Sequence, residues 1–193
     1  MTIKPTLLLI AGGPGAGKTT LGRELARLVP SAILLDKDVL GAPWVDAMLD
    51  RLNAGRIDRD SKVYWDIVRP LEYSALLGTA LDNLALGKSA IAVAPFGAEL
   101  RDAEWVRWLG QSVATLDGRT RTIWVETDPH TARGRMAARG DPRDDWKLAH
   151  WQEFSAAARF DPPPVADCLV LRNTGLVALA DLVQQALAYL HSP

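Results

Sequence analysis

An α/β architecture, with five parallel strands buried between helices, follows from three features of the sequence. Short, wholly apolar runs recur along the chain, segments of helical period separate them, and a glycine-rich turn follows the first run. Strands that are apolar on both faces need cover on both sides, which helical crossovers supply. A chain of 193 residues fits one domain spanning 1–193 and can bury a core.

Thr6–Ala11 is the first predicted strand, and Lys18–Leu28 the first helix, with Leu21, Leu25 and Leu28 on one face ahead of Pro30. Ala32–Leu35 predicts a second strand ending at Asp36. Residues 43–86 read as mostly helical, with a break at Arg69-Pro70 and a stop at Gly87. Ala90–Ala94 is the third strand, a helix near Asp102–Gln111 follows, and Thr122–Glu126 is the fourth. Asp128-Pro129 has the form of an N-cap with proline in the first turn of a helix reaching about Arg139. A further helix is expected from Asp144 or Asp145 to about Ala158, and Asp161–Pro164 must be a surface connector. Cys168–Leu171 is the fifth strand, and Gly175–Leu190 an amphipathic closing helix.

Bulk properties narrow the function classes. A formal net charge of -1 argues against nucleic acid and anionic membranes as general partners. The N-terminal apolar stretch is too short to span a bilayer and lacks a signal peptide's basic start. Cys168 cannot form an internal disulfide, which suits a cytoplasmic protein, and its apolar run reads as a buried strand thiol. His130, His150 and His191 lack metal-ligand spacing.

The chemistry begins at Gly12-Gly13-Pro14-Gly15-Ala16-Gly17-Lys18-Thr19, followed by Thr20, which matches G-x-x-x-x-G-K-[ST] between the first strand and first helix. Glycines let successive backbone N–H groups turn inward around phosphate oxygens, and the helix N-terminus adds partial positive charge. Lys18 is then placed for the β- and γ-phosphates and the Thr19 hydroxyl for Mg²⁺.

Two carboxylates, Asp36 and Asp38, follow the second strand, at the sheet edge where ligands sit. As alternate residues of an extended segment, both are expected to face the phosphate site. Asp36 is assigned to the metal and Asp38, nearer the acceptor, to the proton of an attacking hydroxyl. A solvated acidic turn that caps the next helix fits the same residues. The third strand ends Val93-Ala94-Pro95-Phe96-Gly97 with no acid before Glu99, leaving Asp36 as metal carboxylate and Glu99 and Asp102 as weaker choices.

Arg133, Arg135, Arg139 and Arg143 cluster after the fourth strand. Arg135 and Arg139 share a helix face, and Gly140 and Pro142 permit an excursion carrying Arg143. Guanidinium forks there suit the charge that develops in phosphoryl transfer. A solvated basic helix paired with Asp141, Asp144 and Asp145 is the alternative. Trp146 and Trp151 are expected to pack that region onto the body. Between the second and third strands stand Trp44, Tyr64, Trp65, Arg69 and Tyr73, of which Trp44, Trp65 and Arg69 are acceptor candidates, although aromatics at helical spacing also build cores. Arg69 needs an anionic partner, either Asp66 or a ligand.

Gly12–Thr20, the two aspartates and these arginines together resemble the P-loop small-molecule kinases. That group of AAA-type ATP-binding proteins includes shikimate and gluconate kinases, chloramphenicol phosphotransferase, the kinase half of polynucleotide kinase and zeta toxins. With the element order, the resemblance covers most of the chain, but residues 40–86 match no particular subfamily. It implies a P-loop NTPase three-layer sandwich with sheet order 2-3-1-4-5, ATP and Mg²⁺ as cofactors, an acceptor cap at about 41–86 and a mobile lid at about 139–150. It further implies Arg139 and Arg143 as lid arginines, Arg135 at the nucleotide, and Arg172 and Asn173 beside the adenine. The implied activity is phosphoryl transfer to a small hydroxylated acceptor such as a sugar, nucleoside or antibiotic. A nucleotide-driven ATPase or switch, or a polynucleotide 5′-kinase or zeta-like toxin, remains an alternative, while the missing N-K-x-D motif disfavours a GTPase switch.

Overall fold

The computed structural model describes residues 4–52, 59–165 and 167–192. Part of the expected acceptor cap, 53–58, and the first three residues lie outside that range. The central strand β1 (Thr6–Ala11) leads into α1 (Lys18–Leu28), then β2 (Ala32–Asp36), α2 (Lys37–Arg51) and α3 (Arg69–Ala85). Next come β3 (Ser89–Val93), α4 (Ala103–Ala114), β4 (Arg119–Glu126) and α5 (Pro129–Arg139). Helices α6 (Asp145–Ala149) and α7 (Trp151–Ala157), strand β5 (Cys168–Arg172) and helix α8 (Leu179–His191) complete the order. The five strands are all parallel, in the order β2-β3-β1-β4-β5.

Alternation along β1 explains the layering, because successive side chains of a strand point to opposite faces. Leu7, Leu9 and Ala11 join Leu76, Leu77, Leu109 and Trp124 in the layer beneath α3 and α4. Leu8 and Ile10 join Leu21, Leu25, Leu182 and Val183 beneath α1 and α8. Every β1 residue from Leu7 onward is at most 2% exposed, so both faces are sealed and only the strand ends can carry chemistry. A third, smaller cluster of Val45, Leu49, Tyr64 and Val68, with Trp44 and Met48 against it, gives α2 and the turn before α3 a core of their own.

Several boundaries differ from the sequence reading for identifiable reasons. β4 starts at Arg119 rather than Thr122, since the arginines that mask its pattern are paired with groups at the C-terminal end of the chain and beside β5. Arg119 donates to the Leu190 carbonyl, and Arg121 to Asp167 (2.7 Å) and to the Ser192 carbonyl (2.8 Å), closing the C-terminal end of α8. Arg69-Pro70 begins a helix instead of breaking one: a π-helical turn, Tyr64–Val68, runs straight into α3, whose first turn tolerates proline. The expected helix over 144–158 is split at His150, whose ring stacks on Trp146 at 4.8 Å. The closing helix begins at Leu179, after an extended Ala178. Among the described residues no helix is long and apolar enough to cross a membrane.

Phe96 joins the sheet to its helical cover just beyond β3. It is fully buried, meets Tyr73 edge-on at 5.4 Å and lies 6.1 Å from Trp105. Its backbone N–H donates to the Tyr73 hydroxyl, 3.2 Å. Phe96→Ala should therefore lower unfolding free energy by about 3–5 kcal/mol, read as a reduced urea midpoint with unchanged slope.

Candidate active site

The loop between β1 and α1 is shaped by close backbone approach. Gly12 has φ 139°, and a Cβ there would stand 2.4 Å from the Val125 carbonyl oxygen. A Cβ on Gly15, at φ 71°, would stand 2.7 Å from the carbonyl oxygen of Ala132. Only glycine meets both demands without strain. Three of the loop's carbonyls accept from side chains: Lys18 Nζ donates to Gly13 (2.8 Å), Arg135 to Gly15 (3.2 Å) and Asn173 Nδ2 to Ala16 (2.7 Å). Gly17, in the left-handed region, opens α1, which has no acidic residue in its first turn and no side-chain cap among the described residues. The loop thus offers N–H groups to an anion.

Asp36 and Asp38 are brought to this edge, but not as alternate residues of an extended segment. Asp36 ends β2 and caps α2, accepting from the Asp38 N–H (2.9 Å), whereas Asp38 already belongs to the first helical turn. Asp36 also accepts from the Thr19 hydroxyl at 2.8 Å and is 9% exposed, so capping and a site position coexist in one residue. Asp38 lies between cations, with Oδ1 3.0 Å from Lys37 Nζ and Oδ2 2.8 Å from Arg143 NH1. Burial works against its charge, but Lys37 and Arg143 outweigh it and hold the carboxyl down at about 2. Lys18 is drawn the other way: loss of hydration lowers its ammonium to about 8, against the opposing pull of Asp38 and Asp36.

The arginines of the expected lid have internal partners. Arg139 donates through Nε (3.1 Å) and NH2 to the buried Asp144, and Arg143 Nε reaches Asp141 at 2.9 Å while NH1 takes Asp38. Arg133 lies over the Trp151 ring at 5.7 Å. Arg135 donates to the carbonyl of Asn173 and to its side-chain oxygen, both at 3.0 Å. Arg172, the last residue of β5, is largely exposed and paired with Glu126, 3.0 Å, so of Arg172 and Asn173 it is Asn173 that touches the loop.

Among the acceptor candidates, Trp44 donates to the Leu40 carbonyl and packs on the small core, while Trp65 is half-exposed. Arg69 stands 4.8 Å from the Trp65 ring and 4.2 Å from that of Tyr73. Its anionic partner is Glu99, at 2.6 Å, and not Asp66, which pairs with Lys62. Asp102 caps α4, accepting from the Glu104 and Trp105 N–H groups, and the second Glu99 oxygen is buried with no hydrogen-bond partner among the described residues. A groove of about 610 Å³ runs between α3 and α4 past Arg69, Tyr73, Glu99, Trp105 and Trp108; neither the loop, Asp38 nor the lid arginines line it.

Sequence reasoning missed the buried charges behind Asp38. Lys37 is 5% and Glu72 2% exposed, and they pair at 2.9 Å, with Tyr64 and Arg59 also on Glu72. One signal was present: Glu72 stands at helical spacing from Leu76, Ala80 and Leu84, and a charge on that apolar face requires partners. Cys168 is only partly buried, and burial pushes its thiol up to about 11, an unreactive value.

The parallel sheet with its glycine-cornered loop, lysine and paired hydroxyl and carboxylate at the strand ends defines a nucleotide-binding P-loop fold. The family model described as AAA domain matches residues 7–163, and the chain belongs to that family. Its fold is shared with a sugar kinase from Janibacter sp. HTCC2649 (16% identity, TM-score 0.64, covering 97% of this chain and 95% of that one). The Mycobacterium tuberculosis APS kinase, solved with AMPPNP and APS, superposes at TM-score 0.61 (19% identity, 98% and 99% covered). A gluconokinase from Sinorhizobium meliloti 1021 does so at 0.58 (17% identity, 97% and 92% covered). No curated protein sequence matches the chain.

The depressed Asp38 carboxyl carries a pH signature. Its pKa falls on folding from an ordinary 3.8 to about 2, so its stabilisation is complete above pH 4 and is lost as pH drops toward 2. Because the side chain is 43% exposed, solvent screening limits that contribution to about 1 kcal/mol. Urea titrations should show Asp38→Asn less stable than wild type at pH 6, with the gap narrowing by pH 3.

Proposed function

We propose that the protein is an ATP-dependent phosphotransferase that moves the γ-phosphoryl group to a hydroxyl of a small molecule, such as a sugar, nucleoside or antibiotic-like acceptor. The observation that carries the reading is the ion cluster at the β2 edge, where Asp38 stands between Lys37 and Arg143 beside the Thr19–Asp36 pair. The fold neighbours support the same reading: they are a sugar kinase, an APS kinase and a gluconokinase, whose acceptors differ while the scaffold does not.

The donor set fits a magnesium ion, which takes hard oxygen ligands and keeps several waters: the Thr19 hydroxyl and Asp36 carboxylate meet at 2.8 Å next to the loop. Bound there, Mg²⁺ would neutralise charge on the β- and γ-phosphate oxygens. The loop N–H groups and Lys18 hold the phosphates. Asp38 orients the acceptor hydroxyl and takes its proton as the new O–P bond forms and the bond to the ADP oxygen breaks. A carboxylate at about 2 is a poor base toward a resting alcohol, so the proton moves late, when phosphoryl transfer has made that oxygen acidic. Arg143 and Arg139 exchange carboxylate partners for the charge on the transferring group.

Turnover is tested by following ADP release with phosphate incorporation over sugars, nucleosides and antibiotics, and no acceptor-dependent turnover across all three would sink the proposal. Lys18→Ala should weaken triphosphate binding and abolish turnover. Asp38→Asn should leave ATP affinity near wild type while kcat drops about 10²–10⁴-fold; normal turnover would remove Asp38 as proton acceptor. Lys18 adds a pH dependence. Its ammonium is held at about 8, and phosphate oxygens favour the charged form. Affinity for ATP should be level below pH 8 and fall above it, by up to about tenfold per pH unit. Calorimetry at pH 8.5 in two buffers of different ionisation enthalpy should register proton uptake, and Lys18→Met should remove it.

A further inference from the structure

We infer that Lys37 is a positioning residue for Asp38: its ammonium, gripped inside the protein by Glu72 and Tyr64, pins one carboxylate oxygen so that the other is the one presented to the acceptor hydroxyl. The inference rests on the phosphotransferase reading. The Lys37 ammonium donates to Glu72 Oε1 at 2.9 Å and to the Tyr64 hydroxyl at 3.3 Å, and is ion-paired with Asp38 Oδ1 at 3.0 Å. The grip is itself held. Tyr64 donates to Glu72 Oε2 at 2.6 Å, Arg59 meets Glu72 Oε1 at 3.3 Å, and Arg59 also reaches Asp46 at 3.2 Å. Gly41 leaves the room: a Cβ there would stand 2.7 Å from Glu72 Oε1.

Stability alone does not account for this cluster, because a buried lysine–glutamate pair loses hydration that its attraction only partly restores. Its geometric consequence is specific. Oδ1 is tied to the body through α2 and α3, whereas Oδ2 is tied to Arg143, which enters from the turn at 142–144. When Arg143 turns to a bound phosphate, Oδ2 is freed and Oδ1 stays fixed, so the carboxylate does not rotate.

The test uses the full chain carrying Lys37→Met with Glu72→Gln, a pair that removes both buried charges and leaves no orphaned carboxylate. Crystal structures of wild type and the double variant, each with a non-hydrolysable ATP analogue, should show the Asp38 carboxylate in one orientation in wild type and rotated or split between orientations in the variant. With an acceptor identified, kcat of the double variant should fall about 10–100-fold, as for a misplaced reacting group, with KM for ATP unchanged, while Lys37→Arg should keep kcat near wild type. A carboxylate that keeps its wild-type orientation while only the melting temperature drops would make Lys37 a structural residue and overturn the inference. Failure of wild type to phosphorylate any acceptor would instead overturn the functional reading, a different result from an unmoved carboxylate.

Discussion

A peptide loop can surround an anion with its amides only if its carbonyls are satisfied elsewhere, and this requirement organises the molecule. The Gly12 N–H donates to the Pro95 carbonyl beyond β3, and Gly15 is pressed against Ala132 of α5. Asn173, just after β5, and Arg135 hold the carbonyls of Ala16 and Gly15. Segments following β3, β4 and β5 therefore all converge on the end of β1. Only a strand with neighbours on both sides can receive them, which is why β1 sits at the centre of the order β2-β3-β1-β4-β5.

The second constraint is charge. Lys18, Lys37, Arg139 and Arg143 gather at one edge, and each has a carboxylate or carbonyl partner within the protein. Such a site is nearly neutral when empty, so repulsion among its cations does not strain the fold. On the phosphotransferase reading, ligand charge displaces the partners of Lys18, Arg139 and Arg143, while Lys37 keeps Glu72 and Asp38 Oδ1. The surrendered carboxylates are then free to take up new roles, and Asp38 is the one whose freed oxygen faces chemistry. Lid movement and the exposure of a proton acceptor become the same event.

How much of this was legible follows from the range of each interaction. The loop, the five strands and the N-cap at Asp128 are local patterns of a few residues, and the structure repeats them, Asp128 accepting from the Thr131 N–H at 2.8 Å. The partners are not local. Lys37 and Glu72 are 35 positions apart, Asn173 and Ala16 157, and neither spacing nor propensity encodes those distances. The error over Asp36 and Asp38 has a different source. The sequence Asp36-Lys37-Asp38 fits an extended segment and a helix start equally well, and capping by Asp36 decides for the helix. Arg69 shows the limit from the other side: its need for an anion was legible, but Glu99, which arrives from a different crossover, was not.

That last pair bears on what the proposed acceptor can be. Arg69 is flanked by two aromatic rings and bound to Glu99 at 2.6 Å, both side chains being largely buried. An anionic acceptor that used Arg69 would have to displace Glu99 and leave a carboxylate poorly hydrated, a cost of a few kcal/mol. A neutral polyhydroxyl molecule meets no such penalty, and the Arg69–Glu99 pair would offer it one donor and one acceptor in a rigid frame. The same frame forms part of the wall of the groove between α3 and α4, whose Trp105 and Trp108 supply flat apolar surface. On the proposed function, neither Asp38 nor the phosphate loop lines that groove, so the Arg69–Glu99 frame can hold only a part of the acceptor remote from the reacting hydroxyl.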